Sequence, residues 1–240
     1  KGVKAIVLAA GKGVRMKSDI PKVLHPLQGK PLIKHVVDNL KHAGIDEITV
    51  VVGYRGESVM DSLGEGVNYV WQREQLGTGH AVLQAEPVLA GGDCSVVVAC
   101  GDVPLLSPES FTSLAMAGQA DNVKAVVLTM VLEKPFGYGR IIRESGDVIA
   151  RIVEEKDASE AEKAIQEVNT GTYMFDCRLL FEALHTVGCD NAQREYYLPD
   201  VIRYMRQRGY LAKALVLDDP MRGSGINSPE DLARVESYLG

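Results

Sequence analysis

An apolar run over residues 3–10 stops at Gly11-Lys12-Gly13-Val14-Arg15-Met16. Between Gly11 and Lys34 come six cations, Lys12, Arg15, Lys17, Lys22, Lys30 and Lys34, against the one acid Asp19. The run has the length and texture of a single buried strand. The two glycines let the chain turn its N–H groups towards one point, and such a concavity suits a polyphosphate. Arg15 and Lys22 can then neutralise charge that backbone amides cannot. Two better-known loops are excluded. No Gly-x-x-x-x-Gly-Lys-Ser/Thr is present, and Val14-Arg15-Met16 offers no third glycine for a dinucleotide turn. Taken alone, Gly-x-Gly reads equally as an ordinary strand-to-helix turn with solvated charges.

The context of the loop decides more than the loop itself. Strand-like and helix-like patterns alternate along the 240 residues, which argues for an α/β domain with a mainly parallel sheet flanked by helices. Strands are expected over 3–10, 47–52, 67–71, 95–100, 125–131, 171–176 and 212–217. A hairpin over 139–143 and 148–153 turns at Ser145-Gly146-Asp147. Helices are expected over 31–43, 79–89, 108–119, 160–166, 178–185, 197–207 and 229–239. Pro31 suits the first turn of one, Gly44 its C-cap, and Ser228 the N-cap of the last. In such sheets ligands bind at the carboxyl ends of the strands. The first strand ends at Gly11 and another at Gly101-Asp102, so both open on one edge.

A net charge of −6 argues against a general nucleic-acid or membrane binder. An acidic chain with one basic loop suits a small anionic ligand. No signal peptide or membrane-spanning run is visible. Cys94, Cys100, Cys177 and Cys189 form no C-x-x-C pair, which reads as reduced thiols in a cytoplasmic protein.

Asp102 beside a phosphate loop is a natural Mg2+ ligand, because magnesium takes one or two protein oxygens plus phosphate oxygens and water. It reads also as the cap of the following turn. Gln72 and Gln75 each carry a donor and an acceptor able to read a pyrimidine edge. Gly77 allows close approach, the Thr78 amide adds a donor, and His80 reads as a helix-face residue. Gly139, Glu154 and Asn169 offer groups for sugar hydroxyls and an N-acyl group. The stretch 191–197 reads first as a helix N-terminus and second as a source of sugar contacts. Asn227 reads as a second oxygen ligand or as a turn residue.

These segments occur together and in order: Leu-Ala-Ala-Gly-Lys-Gly-x-Arg-Met with Pro-Lys-Val-Leu-His, Gln-Leu-Gly-Thr-Gly-His-Ala, Gly-Asp-Val-Pro-Leu, Gly-Tyr-Gly-Arg, Glu-Val-Asn-Thr-Gly and Asn-Ala-Gln-x-Glu-Tyr-Tyr. So arranged, the chain resembles the N-terminal uridylyltransferase (pyrophosphorylase) domains of the bacterial bifunctional GlmU family, within the sugar nucleotidyltransferases. The resemblance implies a Rossmann-like domain that makes UDP-N-acetylglucosamine, a cell-wall and lipopolysaccharide precursor, from UTP and N-acetylglucosamine 1-phosphate, releasing pyrophosphate. Carried over residue by residue, Leu8, Ala9, Ala10, Gly11, Gln72, Gln75, Gly77 and Thr78 hold the uridine nucleotide. Arg15 and Lys22 meet its phosphates. Gly139, Glu154, Asn169 and Asn227 line the sugar side, Cys100, Gly101 and Asp102 also contact substrate, and Asp102 and Asn227 hold Mg2+. Arg15, Lys22 and Asp102 are the catalytic set.

Two positions depart from the family pattern. Cys100 stands where tyrosine is usual, and Val14 where threonine is common. The resemblance further implies a uridylyltransferase domain over 1–227 and a helix over 228–240 leading to a β-helix domain that is absent here. That β-helix is the trimerisation element, so a trimer is expected of the full-length parent and a monomer or weak dimer of this fragment. The same chemistry on another hexose 1-phosphate, and a non-catalytic sugar-nucleotide-binding regulator, are the alternatives.

Overall fold

In the first strand, Gly2–Ala9 (β1), Ala5, Ile6 and Val7 expose no surface, because both faces of the strand are covered. The computed structural model describes residues 2–89 and 91–240. A short hairpin, Pro26–Leu27 (β2) with Lys30–Pro31 (β3), stands apart from the main sheet. The remaining strands are Ile48–Val52 (β4), Asn68–Trp71 (β5), Cys94–Cys100 (β6), Val123–Val131 (β7), Arg140–Ser145 (β8), Val148–Val153 (β9), Glu167–Asp176 (β10) and Leu211–Val216 (β11). They join β1 in one nine-stranded sheet of order β5-β4-β1-β6-β10-β7-β11-β9-β8. β1 is parallel to β4 and β6, and β4 to β5. β10 runs antiparallel between β6 and β7, so the sheet is mixed.

The period of two along the strands separates two cores. Ile6, Val96, Val98, Val127 and Phe175 face one side. There they meet Thr78–Leu83 (α3), Cys177–Leu184 (α7) and Val201–Gln207 (α8) through Val82, Leu180, Ile202 and Met205. Ala5, Val7, Val97, Val126 and Met174 face the other side. They meet Leu32–His42 (α1), Gly56–Leu63 (α2) and Pro108–Ala117 (α5) through Val36, Leu40, Val59, Phe111 and Leu114. Two short helices, Glu86–Leu89 (α4) and Glu160–Lys163 (α6), complete the connections. The last helix, Pro229–Leu239 (α9), buries Val235 against Met16, Leu27, Leu32, Leu105 and Ile226. It thereby backs the loop that follows β1. No helix is long and apolar enough to cross a membrane among the described residues.

The differences from the sequence pattern have local causes. The helix expected over 79–89 breaks into α3 and α4. Pro87 has no N–H to give to the carbonyl one turn back. The helix expected over 197–207 starts as a 3-10 turn, Leu198–Asp200, with Pro199 in it, and becomes α-helical only at Val201. The helix over 160–166 is only Glu160–Lys163, with a Ser159–Glu162 capping box at its start. The β2–β3 hairpin escapes the pattern because Gln28 and Gly29 take positive φ there, 49° and 77°, without the Asn-Gly signal of such turns. α2 escapes it because its start, Arg55, carries no capping side chain and sits at φ 47°.

Arg140 belongs to the fold and not to the site. Its guanidinium is 2% exposed and pairs with Glu155 at 2.5 Å. It also donates to the carbonyls of Tyr138 and, at 3.3 and 3.2 Å, of Lys163. Its donors are spent on pinning β8 to the segments on either side. Arg140→Ala is expected to cost about 3 kcal/mol in urea unfolding, as for a buried ion pair broken from one side. A loss below about 1 kcal/mol would show that these contacts are solvated in solution.

Candidate active site

The parallel strands bring the C-terminal ends of β1, β4, β5 and β6 to one edge of the sheet. Because β10 is antiparallel to β6, it is the start of β10 that arrives there. Leu8 is in register with Cys100, and the Cys100 thiol reaches the Gly171 carbonyl at 3.5 Å. Topology alone therefore puts Gly11, Asp102 and the segment 169–171 side by side.

An open cleft of about 290 Å³ runs along this edge. Of the expected substrate-binding residues, Leu8, Ala9, Ala10, Gly11, Lys22, Gln72, Gln75, Gly77, Thr78, Cys100 and Asp102 line it. Gly101 lies behind it, donating its N–H to the Leu8 carbonyl at 2.9 Å. A Cβ there would press on Val23 and on that same carbonyl. Gly13 is held at φ 65°, and a Cβ on it would lie 2.4 Å from Cβ of Lys22. Glycine at 13 thus lets Lys22 cross beneath the loop.

The two glutamines have separate duties. Gln75 Nε2 donates to the Ala10 carbonyl at 3.0 Å, which also accepts from the Tyr54 N–H at 3.0 Å, so Gln75 holds the loop. Gln72 Nε2 donates to the Gly77 carbonyl at 3.1 Å and lies 3.0 Å from His80 Nδ1. The turn at 76–79 is clamped from behind by the segment 195–198. The Tyr196 N–H donates to Leu76 at 2.8 Å, the Gly79 N–H to Tyr196 at 2.7 Å, and the Leu198 N–H to the Thr78 hydroxyl at 3.0 Å. A Cβ on Gly77 would lie 2.7 Å from the Tyr196 carbonyl. The missing side chain at 77 therefore admits a neighbouring backbone as well as leaving the cleft open.

Lys22 carries the main charge of the cleft. Its ammonium lies 2.6 Å from an Asp102 oxygen and 2.8 Å from Oδ1 of Asn227. Asn227 reaches this point because the Ile226 N–H donates to the Asp102 carbonyl at 2.9 Å. The two residues read as metal ligands thus converge on one cation, which here is an ammonium.

A second group forms beside it. Asn169 donates its N–H to the Gly139 carbonyl at 2.9 Å, and a Cβ on Gly139 would lie 3.2 Å from Glu154 Oε1. The Asn169 carboxamide is already partnered: Nδ2 donates to the Tyr173 hydroxyl, and Oδ1 accepts from the Gly171 N–H at 2.9 Å. It thereby holds the bulge between Asn169 and Thr172 that starts β10 earlier than expected. Burial first, then the nearby Asp200, Asp157 and Glu195, push Glu154 up to about 7. Burial, with Asp102 beside it, pushes the Cys100 thiol up to about 12, so it stays protonated.

Arg15 is not brought into the first cleft. It is exposed and lines an adjoining one of about 420 Å³ with Tyr138, Gly225 and Asn227. The Lys22–Asn227 bond marks the boundary between the two. Sequence reasoning missed Glu195, Val23 and Ala81 on the first cleft wall. A larger cleft, about 580 Å³, lies elsewhere and includes none of the expected residues.

A mixed α/β sheet with a glycine turn, a lysine and a carboxylate gathered at its strand ends defines a nucleotidyltransferase. Residues 5–170 match the family described as the MobA-like NTP transferase domain, and the chain belongs to that family. It is 48% identical over 235 residues to the bifunctional protein GlmU of Oceanobacillus iheyensis, and 48% to that of Heliobacterium modesticaldum. These alignments cover 98% of this chain but 52% and 51% of those proteins, so the chain spans about half the length of these relatives. Its fold matches a UDP-glucose pyrophosphorylase crystallised with UDP-glucose, at a TM-score of 0.81 and 21% identity, over 100% of this chain and 98% of that one. The apo form of a UDP-glucose pyrophosphorylase also gives 0.81, at 20% identity over 99% and 98%.

Glu154 yields a test with a definite sign. Its folded value of about 7 lies above the ordinary 4.5. The folded state therefore binds the proton more tightly, and stability falls as pH rises from about 4.5 to about 7. Glu154→Gln should remove that slope and raise stability relative to wild type at pH 8 but not at pH 4.5. Parallel urea titrations at the two pH values check this; equal slopes would contradict it.

Proposed function

We propose that this chain transfers the uridylyl group of UTP to N-acetylglucosamine 1-phosphate, giving UDP-N-acetylglucosamine and pyrophosphate. The observation that carries the reading is the meeting of Lys22, Asp102 and Asn227 at the boundary of two clefts. The near-half identity to GlmU proteins over almost the whole chain supports the substrate pair. The thiols, all four free, fit a reducing, cytoplasmic setting.

The nucleophile is a phosphate oxygen already ionised at neutral pH, so no general base is required. The obstacle is the approach of two anions and the departure of a third. Positioning and charge neutralisation therefore supply the rate. The glycine turn presents backbone to the triphosphate, and Lys22 and Arg15 approach it from the two clefts. Asp102 and Asn227 would hold a divalent cation, Mg2+ in our reading, because their oxygens already converge on one positive charge. Such a cation, when bound, spreads the charge of the phosphates. Among the described residues no cluster of three or more His, Cys, Asp or Glu could hold a metal, which fits a cation that depends on phosphate oxygens for its remaining ligands. Glu154, Gly139 and Asn169, which lie outside the linings of these two clefts, would face the sugar.

Pyrophosphate release with UTP, N-acetylglucosamine 1-phosphate and MgCl2 tests the reading. Asp102→Ala and Arg15→Ala should each lower kcat about 10²- to 10³-fold, as for removal of a charge-stabilising group. Turnover near wild type in either variant would contradict its role. Comparable kcat/KM on glucose 1-phosphate would contradict the sugar assignment while leaving the chemistry intact.

A further inference from the structure

Gln72 is 3% exposed, yet it lines the nucleotide cleft. Its amide nitrogen is spent twice, on the Gly77 carbonyl at 3.1 Å and on His80 Nδ1 at 3.0 Å. Its carboxamide oxygen has no hydrogen-bond partner among the described residues. That oxygen opens on the cleft and is not sealed in the core. A ligand that brings a donor into the cleft would find it free to accept.

Which face of the amide is offered depends on its two neighbours. The Gly77 carbonyl can only accept, and it is fixed in place at the start of α3 by the Ala81 N–H at 3.0 Å. His80 Nδ1 accepts from Gln72 when the imidazole is neutral and protonated on Nε2. Turning the amide over would set its oxygen against both acceptors. The ring of His80 is itself held in place. It lies 6.5 Å from the Tyr196 ring. Gln84 Nε2 is spent on the His80 carbonyl at 2.9 Å and stays 3.4 Å from His80 Nε2, so the nearer Gln72 contact at 3.0 Å sets the tautomer. The adjacent Gly79 is tied to the Tyr196 backbone at 2.7 Å. Position 80 thus stands behind the cleft wall at Gln72 and is not merely a helix face.

We infer that His80 is a specificity-determining positioning residue: by accepting from Gln72 Nε2, it presents the Gln72 oxygen to the base and selects a pyrimidine that donates from N3. Uracil carries N3–H between two carbonyls. Cytosine presents a lone pair at N3 and would face the Gln72 oxygen with like polarity. The inference deepens the proposed reaction and rests on UTP occupying this cleft. The discrimination is set one residue away from the base, through the choice of amide face.

The test measures kcat/KM for UTP and for CTP at saturating sugar phosphate in wild type, H80L and H80N. H80L should lower the UTP/CTP ratio about five- to tenfold, the worth of one hydrogen bond. The change should enter through KM for UTP and leave KM for the sugar phosphate unmoved. H80N, whose Oδ1 can accept where Nδ1 did, should retain most of the ratio. Should H80L fail to fold by circular dichroism, H80Q, which shifts its amide to the far side of the ring position, is read in the same way. An unchanged ratio, or an equal loss with both nucleotides, would overturn the role of His80. Absence of UTP binding to wild type by calorimetry would instead overturn the reading on which it rests, and this inference with it.

Discussion

The site is organised around one ammonium group, that of Lys22, held between the Asp102 carboxylate and the Asn227 amide oxygen. These three groups come from the loop after β1, the end of β6 and the turn before α9. Each side chain is largely buried, so the attraction is screened less than at a surface. The contact ties both ends of the chain to the middle of the sheet. It also sets the place where opposite charges can be rearranged when an anionic ligand arrives. Everything else at this edge positions that point: Gly13 lets Lys22 pass, the Ile226–Asp102 backbone bond delivers Asn227, and α9 packs against Met16 beneath the loop.

The antiparallel strand β10 brings Asn169 and Gly171 to the edge at which the parallel strands end. A parallel strand offers its end to the ligand edge, and an antiparallel one offers its start. The bulge at 169–171 sits at that start, next to Cys100. A residue with a small side chain at 100 leaves the junction more open than an aromatic ring would.

The glycine turn and Asp102 were legible because each ends an apolar run, and strand ends define the ligand edge of such sheets. The strands themselves were legible for the same reason: a buried β1 or β6 reads as a continuous apolar segment. What stayed hidden was set by tertiary contacts. Glu195 lies in a motif whose first reading is a helix N-terminus, and it reaches the nucleotide cleft because Tyr196 pairs with the backbone of 76–79. Gln72 and Gln75 are chemically equivalent in sequence and both line the cleft, and only the structure shows that Gln75 grips the Ala10 carbonyl while Gln72 grips the Gly77 carbonyl. Arg140 sits in a motif that suggested sugar binding, yet its donors are consumed by the fold. Arg15 was expected beside Lys22 and lines the neighbouring cleft instead.

A crystal structure of the protein with a non-hydrolysable UTP analogue and a divalent cation tests this account most directly. The account predicts phosphates against the Gly11 turn, the base against Gln72, and the Lys22 ammonium turned from Asp102 and Asn227 towards the phosphates. Nucleotide bound in another cleft, with Lys22 still bridging Asp102 and Asn227, would contradict it.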